Sequence, residues 1–135
     1  MNETTEQRSR IMRAVRSRDT APELAVRRLV HGMGYRFRLH RKDLPGTPDL
    51  VFPRLRKVVF VHGCFWHGHD CARGSVPVQN RDYWTQKFAR NRERDKNVLA
   101  SLKAEGWDSL VIWECELKNS GAVGGQVKRF LRRAD

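Results

Sequence analysis

The sequence predicts a small α/β sandwich, one mixed β-sheet with helices packed against it. Three observations lead there. The run "KVVFVH" (57–62) is almost continuously β-branched or aromatic, the pattern of a central strand covered on both faces. Helical periodicity precedes and follows it, and the elements run in the order helix, strand, strand, strand, helix, strand, helix. With 135 residues the chain has room for one domain and one sizeable core.

The first 19 residues, "MNETTEQRSRIMRAVRSRD", carry five arginines and only scattered apolar positions. They read either as a frayed surface terminus or as an arm that orders along phosphates, and the domain proper runs over 20–135. "TAPE" supplies an N-cap at Thr20, a proline in the first turn and Glu23 at N3. This capping box opens a helix with Leu24, Leu29, Val30 and Met33 on its apolar stripe, and Gly32 and Gly34 end it. "YRFRLH" (35–40) alternates strictly and predicts a half-buried strand, "RKDLPGTP" a loop turning at Pro45-Gly46, and "DLVF" (49–52) the next strand. The basic turn "PRLR" leads into the central strand. After an irregular segment, "RDYWTQKFARNRERDKNVLASLKAEG" predicts a long helix ending at Gly106, with Trp84, Phe88, Val98, Leu99 and Leu102 at helical spacing and Asn91 and Asp95 on the same stripe. Strand "SLVIWEC" (109–115), the glycine-rich "GAVGG" and a short basic amphipathic helix, "GQVKRFLRRA", complete the chain.

A formal net charge of +12, from 27 Lys plus Arg against 15 Asp plus Glu, makes a polyanion the default partner. Four tryptophans, six phenylalanines and 39% hydrophobic residues exclude a disordered basic tail. No stretch approaches the roughly 18 apolar residues of a membrane span, and "MNETTEQRSR" lacks a signal peptide's apolar run, so an intracellular protein without a membrane partner is expected. Three cysteines, two of them among histidines, suit metal ligation in a reducing compartment better than a disulfide framework.

The stretch "VHGCFWHGHDC" (61–71) follows the central strand and concentrates that chemistry. Cys64, His69 and Cys71 are spaced so that a tight loop can point all three inward, and Cys115, in "WECEL", is the remaining cysteine available as a fourth ligand. Thiolate plus imidazole is zinc's preferred donor set, and four protein ligands leave no open position, so this metal would hold a fold. His62, His67 or Asp70 can substitute for a member, and three merely packed cysteines are the alternative. Phe65 and Trp66 either close this loop onto the core or project as a wedge between base pairs, and Trp84 can join either arrangement. Tyr83 and Phe88 read as core, and Arg90, Arg92, Arg94 and Lys96 as ordinary solvated residues that together would serve as a phosphate contact surface.

For catalysis, Asp49 starts one strand and His62 ends its neighbour. A carboxylate and an imidazole so placed can converge on a phosphate, where the carboxylate anchors magnesium. An Asp at a strand start is by itself more often a turn or cap residue. His67, left free if His69 takes the zinc, has a ring suited to moving a proton at an attacking water or leaving oxygen. Glu23 is needed by its capping box in any case.

Taken together, "MRAVRSRDTAPE", "LPGTPDLVF", "VFVHGCFWHGHDC", "YWTQKFARNRERD" and "GWDSLVIWECEL", in this order over most of residues 10–118, resemble the very short patch mismatch-repair endonucleases of bacteria. The resemblance implies a restriction-endonuclease-like fold, a central mixed β-sheet flanked by helices with a structural zinc site. It implies a magnesium-dependent, strand-specific nick 5′ of the thymine in T:G mismatches that arise when 5-methylcytosine deaminates. Double-stranded DNA with that mismatch is the implied partner, with functional links to a DNA cytosine methyltransferase and a repair polymerase. A monomer in the bacterial cytoplasm, associated with the nucleoid, is expected.

Carried over residue by residue, the resemblance makes Asp49 the magnesium ligand beside the backbone carbonyl of Val61. His62 and His67 assist at phosphate and water, and Glu23 acts through metal-bound water. Zinc uses Cys64, His69, Cys71 and Cys115; Phe65, Trp66 and Trp84 enter the duplex beside the mismatch; and the N-terminal arm embraces the DNA. Restriction enzymes pair proline-aspartate with an acid, one residue and a lysine, whereas Phe60 and His62 stand at the latter positions here, a departure the repair family shares. Val61 replaces a threonine familiar in the family, and Gly68 stands where some members have another histidine. The competing hypothesis is a zinc-stabilised DNA-binding module without catalysis, which gives no reason for Asp49 and His62 to sit at adjoining strand ends.

Overall fold

The computed structural model describes residues 20–64, 69 and 76–132. In chain order its elements are α1 (Ala21–Gly32), β1 (Arg38–Leu39), β2 (Leu50–Phe52), β3 (Lys57–His62), α2 (Arg81–Ala104), β4 (Asp108–Trp113), a 3₁₀ turn (Glu114–Lys118) and α3 (Ser120–Leu131). The four strands form one mixed sheet in the order β1-β2-β3-β4, in which β1, β2 and β3 are antiparallel neighbours and β4 runs parallel to β3. Among the described residues no helix is long and apolar enough to cross a membrane.

Strand alternation divides the core in two. On one face Leu50, Phe52, Val59 and Ile112 meet Val26 and Val30 of α1 and Val123, Val127 and Leu131 of α3. On the other, Val51, Val58 and Phe60 meet Leu102 of α2 with Leu44 and Trp107. The expected central strand, 57–62, is therefore covered on both faces, which is why its sequence lacks polar alternation.

Three elements differ from the sequence reading. The strand expected over 35–40 shrinks to Arg38–Leu39, because β2 offers it only three residues: Pro48 has no N–H to give a ladder, and Pro53 opens the turn into β3. Tyr35 and Phe37 contribute instead by edge-on packing against Phe52, at ring separations of 6.4 and 6.2 Å. The strand expected to reach Cys115 stops at Trp113, whose N–H is taken by the Glu116 carboxylate at 2.9 Å, turning the backbone into the 3₁₀ segment.

The glycine-rich "GAVGG" is helix, not linker. The Asn119 side chain caps α3 by accepting the Ala122 N–H at 3.1 Å, and Val123, Val127 and Leu131, four apart, are all buried. Burial of that stripe outweighs the glycines' poor propensity.

Candidate active site

Glu23 belongs to α1, whose Thr20 cap accepts the Glu23 N–H at 3.4 Å. Half of the expected capping box is thus present, but the Glu23 carboxylate, 7% exposed, points to tertiary partners. Arg27, one helical turn on, donates to its Oε2 at 3.0 Å, and His40 Nε2 lies 3.1 Å from the same oxygen. His40 also stands 3.9 Å from Asp49 Oδ1 and 3.4 Å from the Arg27 guanidinium. One oxygen of Glu23, one of Asp49 and one ring nitrogen of His40 lie within 4.8 Å of one another.

Local backbone geometry explains how Asp49 arrives there. Gly46 and Thr47 both adopt left-handed φ (73° and 46°), an uncommon conformation for a β-branched residue, and Pro48 follows. A Cβ on Gly46 would fall 2.5 Å from Val98 Cγ1, so only glycine lets this turn pack on α2. The turn delivers Asp49 just before β2 begins, where β3 runs on past its partner strand. There the Val61 N–H donates to Asp49 Oδ2 at 2.6 Å, so a side chain takes the place of a neighbouring strand's carbonyl.

Burial pushes the Asp49 carboxyl up to about 7, helped by the neighbouring Glu23 carboxylate; the Val61 N–H and the Arg27 charge pull the other way without prevailing. A buried and a largely buried carboxylate this close together are suited to a divalent cation, which would relieve both their repulsion and their desolvation. Hard oxygen donors at this spacing fit magnesium.

His62, also buried, lies with its ring 5.6 Å from Phe60 and 5.1 Å, edge-on, from Trp113. Trp113 links it to the second cluster, because the His69 imidazole stacks on the same indole at 4.1 Å and 18°. Cys64, His69 and Cys115 bring one ligand atom each within 4.8 Å of one another. His69 Nδ1 is 3.5 Å from Cys115 Sγ, the Cys115 N–H donates to Cys64 Sγ at 3.4 Å, and the His69 N–H returns to the Cys64 carbonyl at 3.0 Å. Two sulfurs and an imidazole from the β3 end and the 3₁₀ turn are donors that suit zinc. Cys71, the expected fourth ligand, lies outside the described residues, as do Phe65, Trp66, His67 and the arm over 1–19.

Trp84, expected in the duplex wedge, is 1% exposed and packs against Phe88 and Val76. Its place four residues before Phe88 in α2 makes the two neighbours on one helix face, so in this structure it is a core residue. Tyr83, read as core, is instead 38% exposed, leaning edge-on against Trp84. Arg90 and Arg94 line a shallow groove with Pro45 and Val98, and Arg94 is tied to Asn91 by a hydrogen bond. His40 and Arg27 are the site residues that sequence reasoning missed. No spacing marks His40, which falls in the polar phase of the alternating run with Arg36 and Arg38 and is turned inward only by the tertiary fold.

A family model described as DNA mismatch endonuclease Vsr matches residues 2–73. The type II nicking enzyme V.XorIIP of Xanthomonas oryzae pv. oryzae is 56% identical over 126 residues, covering 93% of each chain. The type II nicking enzyme V.NmeAIP of Neisseria meningitidis is 40% identical over 129 residues, 96% of this chain and 92% of the relative. The DNA mismatch endonuclease Vsr of Escherichia coli K12 is 43% identical over 111 residues, 82% of this chain and 71% of the relative. With a converging carboxylate pair beside β3 and similarity of this extent, the chain belongs to the Vsr family of DNA endonucleases.

Proposed function

We propose that this endonuclease nicks one strand of duplex DNA 5′ of the thymine in a T:G mismatch, using magnesium held at Asp49. The observation that carries the reading is the convergence of the Glu23 and Asp49 carboxylates from α1 and the start of β2. The names of its relatives, mismatch endonuclease and nicking enzymes, support the reaction and the substrate. The mixed sheet flanked by helices is consistent with a restriction-endonuclease-like fold.

Magnesium would be held by Asp49 and the backbone carbonyl of Val61, and would supply charge neutralisation at the scissile phosphate. In a strand, a residue's N–H and C=O face the same side, so the Val61 N–H bond to Asp49 supports that pairing. Glu23 orients the water that attacks phosphorus. His62 and His67 contact the phosphate and pass a proton from the attacking water or to the leaving oxygen. Cys64, His69, Cys71 and Cys115 hold a structural zinc whose cluster braces His62 through Trp113. Phe65 and Trp66 form the wedge, and buried Trp84 takes part if duplex binding uncovers it. A T:G pair stacks less stably than a matched one, so prising the duplex open beside it costs less. Residues 1–19 embrace the DNA, the protein acts as a monomer in the bacterial cytoplasm at the nucleoid, and a cytosine methyltransferase and repair polymerase act before and after it.

The test is magnesium-dependent cleavage of an end-labelled duplex carrying one T:G mismatch in a methyltransferase-like site, beside an identical T:A duplex. A single nick 5′ of the mismatched thymine, absent from the control, is expected. Equal cleavage of both duplexes would refute the mismatch assignment, and cleavage undiminished by chelator would refute the metal.

A further inference from the structure

His40 stands outside every role assigned above, yet it touches the centre of the proposed active site. We propose that His40 is a third protein ligand of the divalent centre, giving its Nε2 to the ion held at Asp49, with the Glu23 carboxylate as the facing donor. This rests on the reading of Asp49 as the metal site and deepens it.

Three observations converge. First, Nε2 is 3.1 Å from Glu23 Oε2 and 3.9 Å from Asp49 Oδ1, and one ligand atom from each of the three residues falls within 4.8 Å of the others, the compass of a single coordination sphere. Second, the side chain is only 10% exposed although it lies at the end of a two-residue edge strand, whose Leu39 is 43% exposed. The ring is turned inward at the cost of its packing freedom. Third, His40 adopts a left-handed backbone, φ 47°, uncommon outside glycine and of the kind that persists where surrounding structure demands it.

An ion pair alone accounts less well for this arrangement. Arg27 already donates to Glu23 Oε2 at 3.0 Å, so the carboxylate has its cation. Nε2 also lies 3.4 Å from the Arg27 guanidinium. A single ring nitrogen cannot donate to Glu23 and accept from Arg27 at once, so its lone pair faces a carboxylate oxygen or its proton faces a guanidinium. A cation between the carboxylates and the ring resolves both.

The chemical consequence is metal preference. Magnesium takes oxygen almost exclusively, whereas imidazole raises affinity for manganese and the later divalent metals. One imidazole among oxygen donors shifts the preference of the centre from Mg2+ towards Mn2+.

The probe is Mn2+, titrated without DNA into the full chain after one equivalent of Zn2+, and followed by electron paramagnetic resonance. Pulsed spectra of the wild type are expected to show nitrogen coupling to the bound ion. In H40N, where asparagine tolerates the left-handed backbone but its short amide withdraws from the ion, that coupling disappears. Mn2+ affinity drops by about tenfold or more, and Mg2+ affinity falls less. H40Q serves as a second variant, and circular dichroism verifies that each is folded. Nitrogen coupling that persists in folded H40N or H40Q, or its absence from the wild type, overturns the proposal. D49A separates the two levels: undiminished Mn2+ binding in D49A refutes the metal site itself, while loss in D49A with unchanged binding and coupling in H40N refutes only the role of His40.

Discussion

The carboxylate of Asp49 accepts the backbone N–H of Val61 at 2.6 Å, so a loop side chain completes the hydrogen bonding of a central strand. Asp49 therefore has a structural task as well as the proposed chemical one, and the two separate by substitution. Asn at this position keeps an acceptor for Val61 and loses the charge. In D49N, nicking of a mismatched duplex is expected to fall on the order of 10³-fold while duplex affinity changes only a few-fold. Gel-shift and single-turnover cleavage assays on one preparation measure both; retained turnover would remove Asp49 from the chemistry.

The same residue sets a pH dependence. Its folded carboxyl titrates near 7, above its ordinary value of 3.8, so between those limits the folded state binds the proton more tightly than the unfolded state. Stability without divalent metal is therefore highest below about pH 4 as far as this group is concerned, and declines as pH rises to about 7, by about 4 kcal/mol if Asp49 acts alone. Urea unfolding in chelator at several pH values should show this decline in the wild type and lose it in D49N. A wild-type curve rising over that window in parallel with D49N would sink the assignment.

Cys115 sits against Cys64 and His69 where the 3₁₀ turn leaves β4. Its replacement by alanine is expected to lower bound zinc from about one equivalent to none and to abolish cooperative unfolding, since structural zinc and folding are coupled. Elemental analysis alongside thermal unfolding checks this. A stable, zinc-replete C115A protein would exclude the ligand.

Trp84 offers a contrast between packing and wedge. Being fully buried against Phe88, its truncation in W84A should cost about 3–5 kcal/mol, and W84F clearly less. Denaturant midpoints decide: an unchanged midpoint for W84A would mean the side chain contributes nothing to the core.

Gly46 positions the turn before Asp49 with φ 73°, and a Cβ there would overlap Val98. G46A should destabilise by about 1–3 kcal/mol and reduce nicking more than binding, with V98A recovering part of the stability. A neutral G46A would show that the turn relaxes freely.

Much of this molecule was legible in its residues. The strand over 57–62 and the start of the long helix at Arg81 emerge as expected, because continuous burial and a long apolar stripe leave marks in composition. Asp49 and Glu23 could be singled out as candidates, and Cys64, His69 and Cys115 as a cluster, and the structure brings each group together. Their meeting depends on tertiary geometry, however, and so does the arrival of His40, which no spacing announces. The glycines of α3 misled because helix propensity is local, whereas the burial of Val123, Val127 and Leu131 that holds the helix is not. Trp84 is ambiguous for a related reason: an aromatic residue opening a helix looks the same whether it faces a duplex or Phe88.

The contact between Cys115 and Cys64 spans 51 positions, and nearly all of the chain between β3 and its parallel neighbour β4 lies inside that span. Parallel pairing is the slowest contact such a chain must make, because a long loop has to close before any hydrogen bond rewards it. A metal ion clasping both cysteines in the unfolded chain would close that loop in advance, removing about 4 kcal/mol of chain entropy by the reasoning that applies to a cross-link of this length. Zinc would then act on the rate of folding as well as on its endpoint, setting the register of the β3–β4 pair before the helices dock.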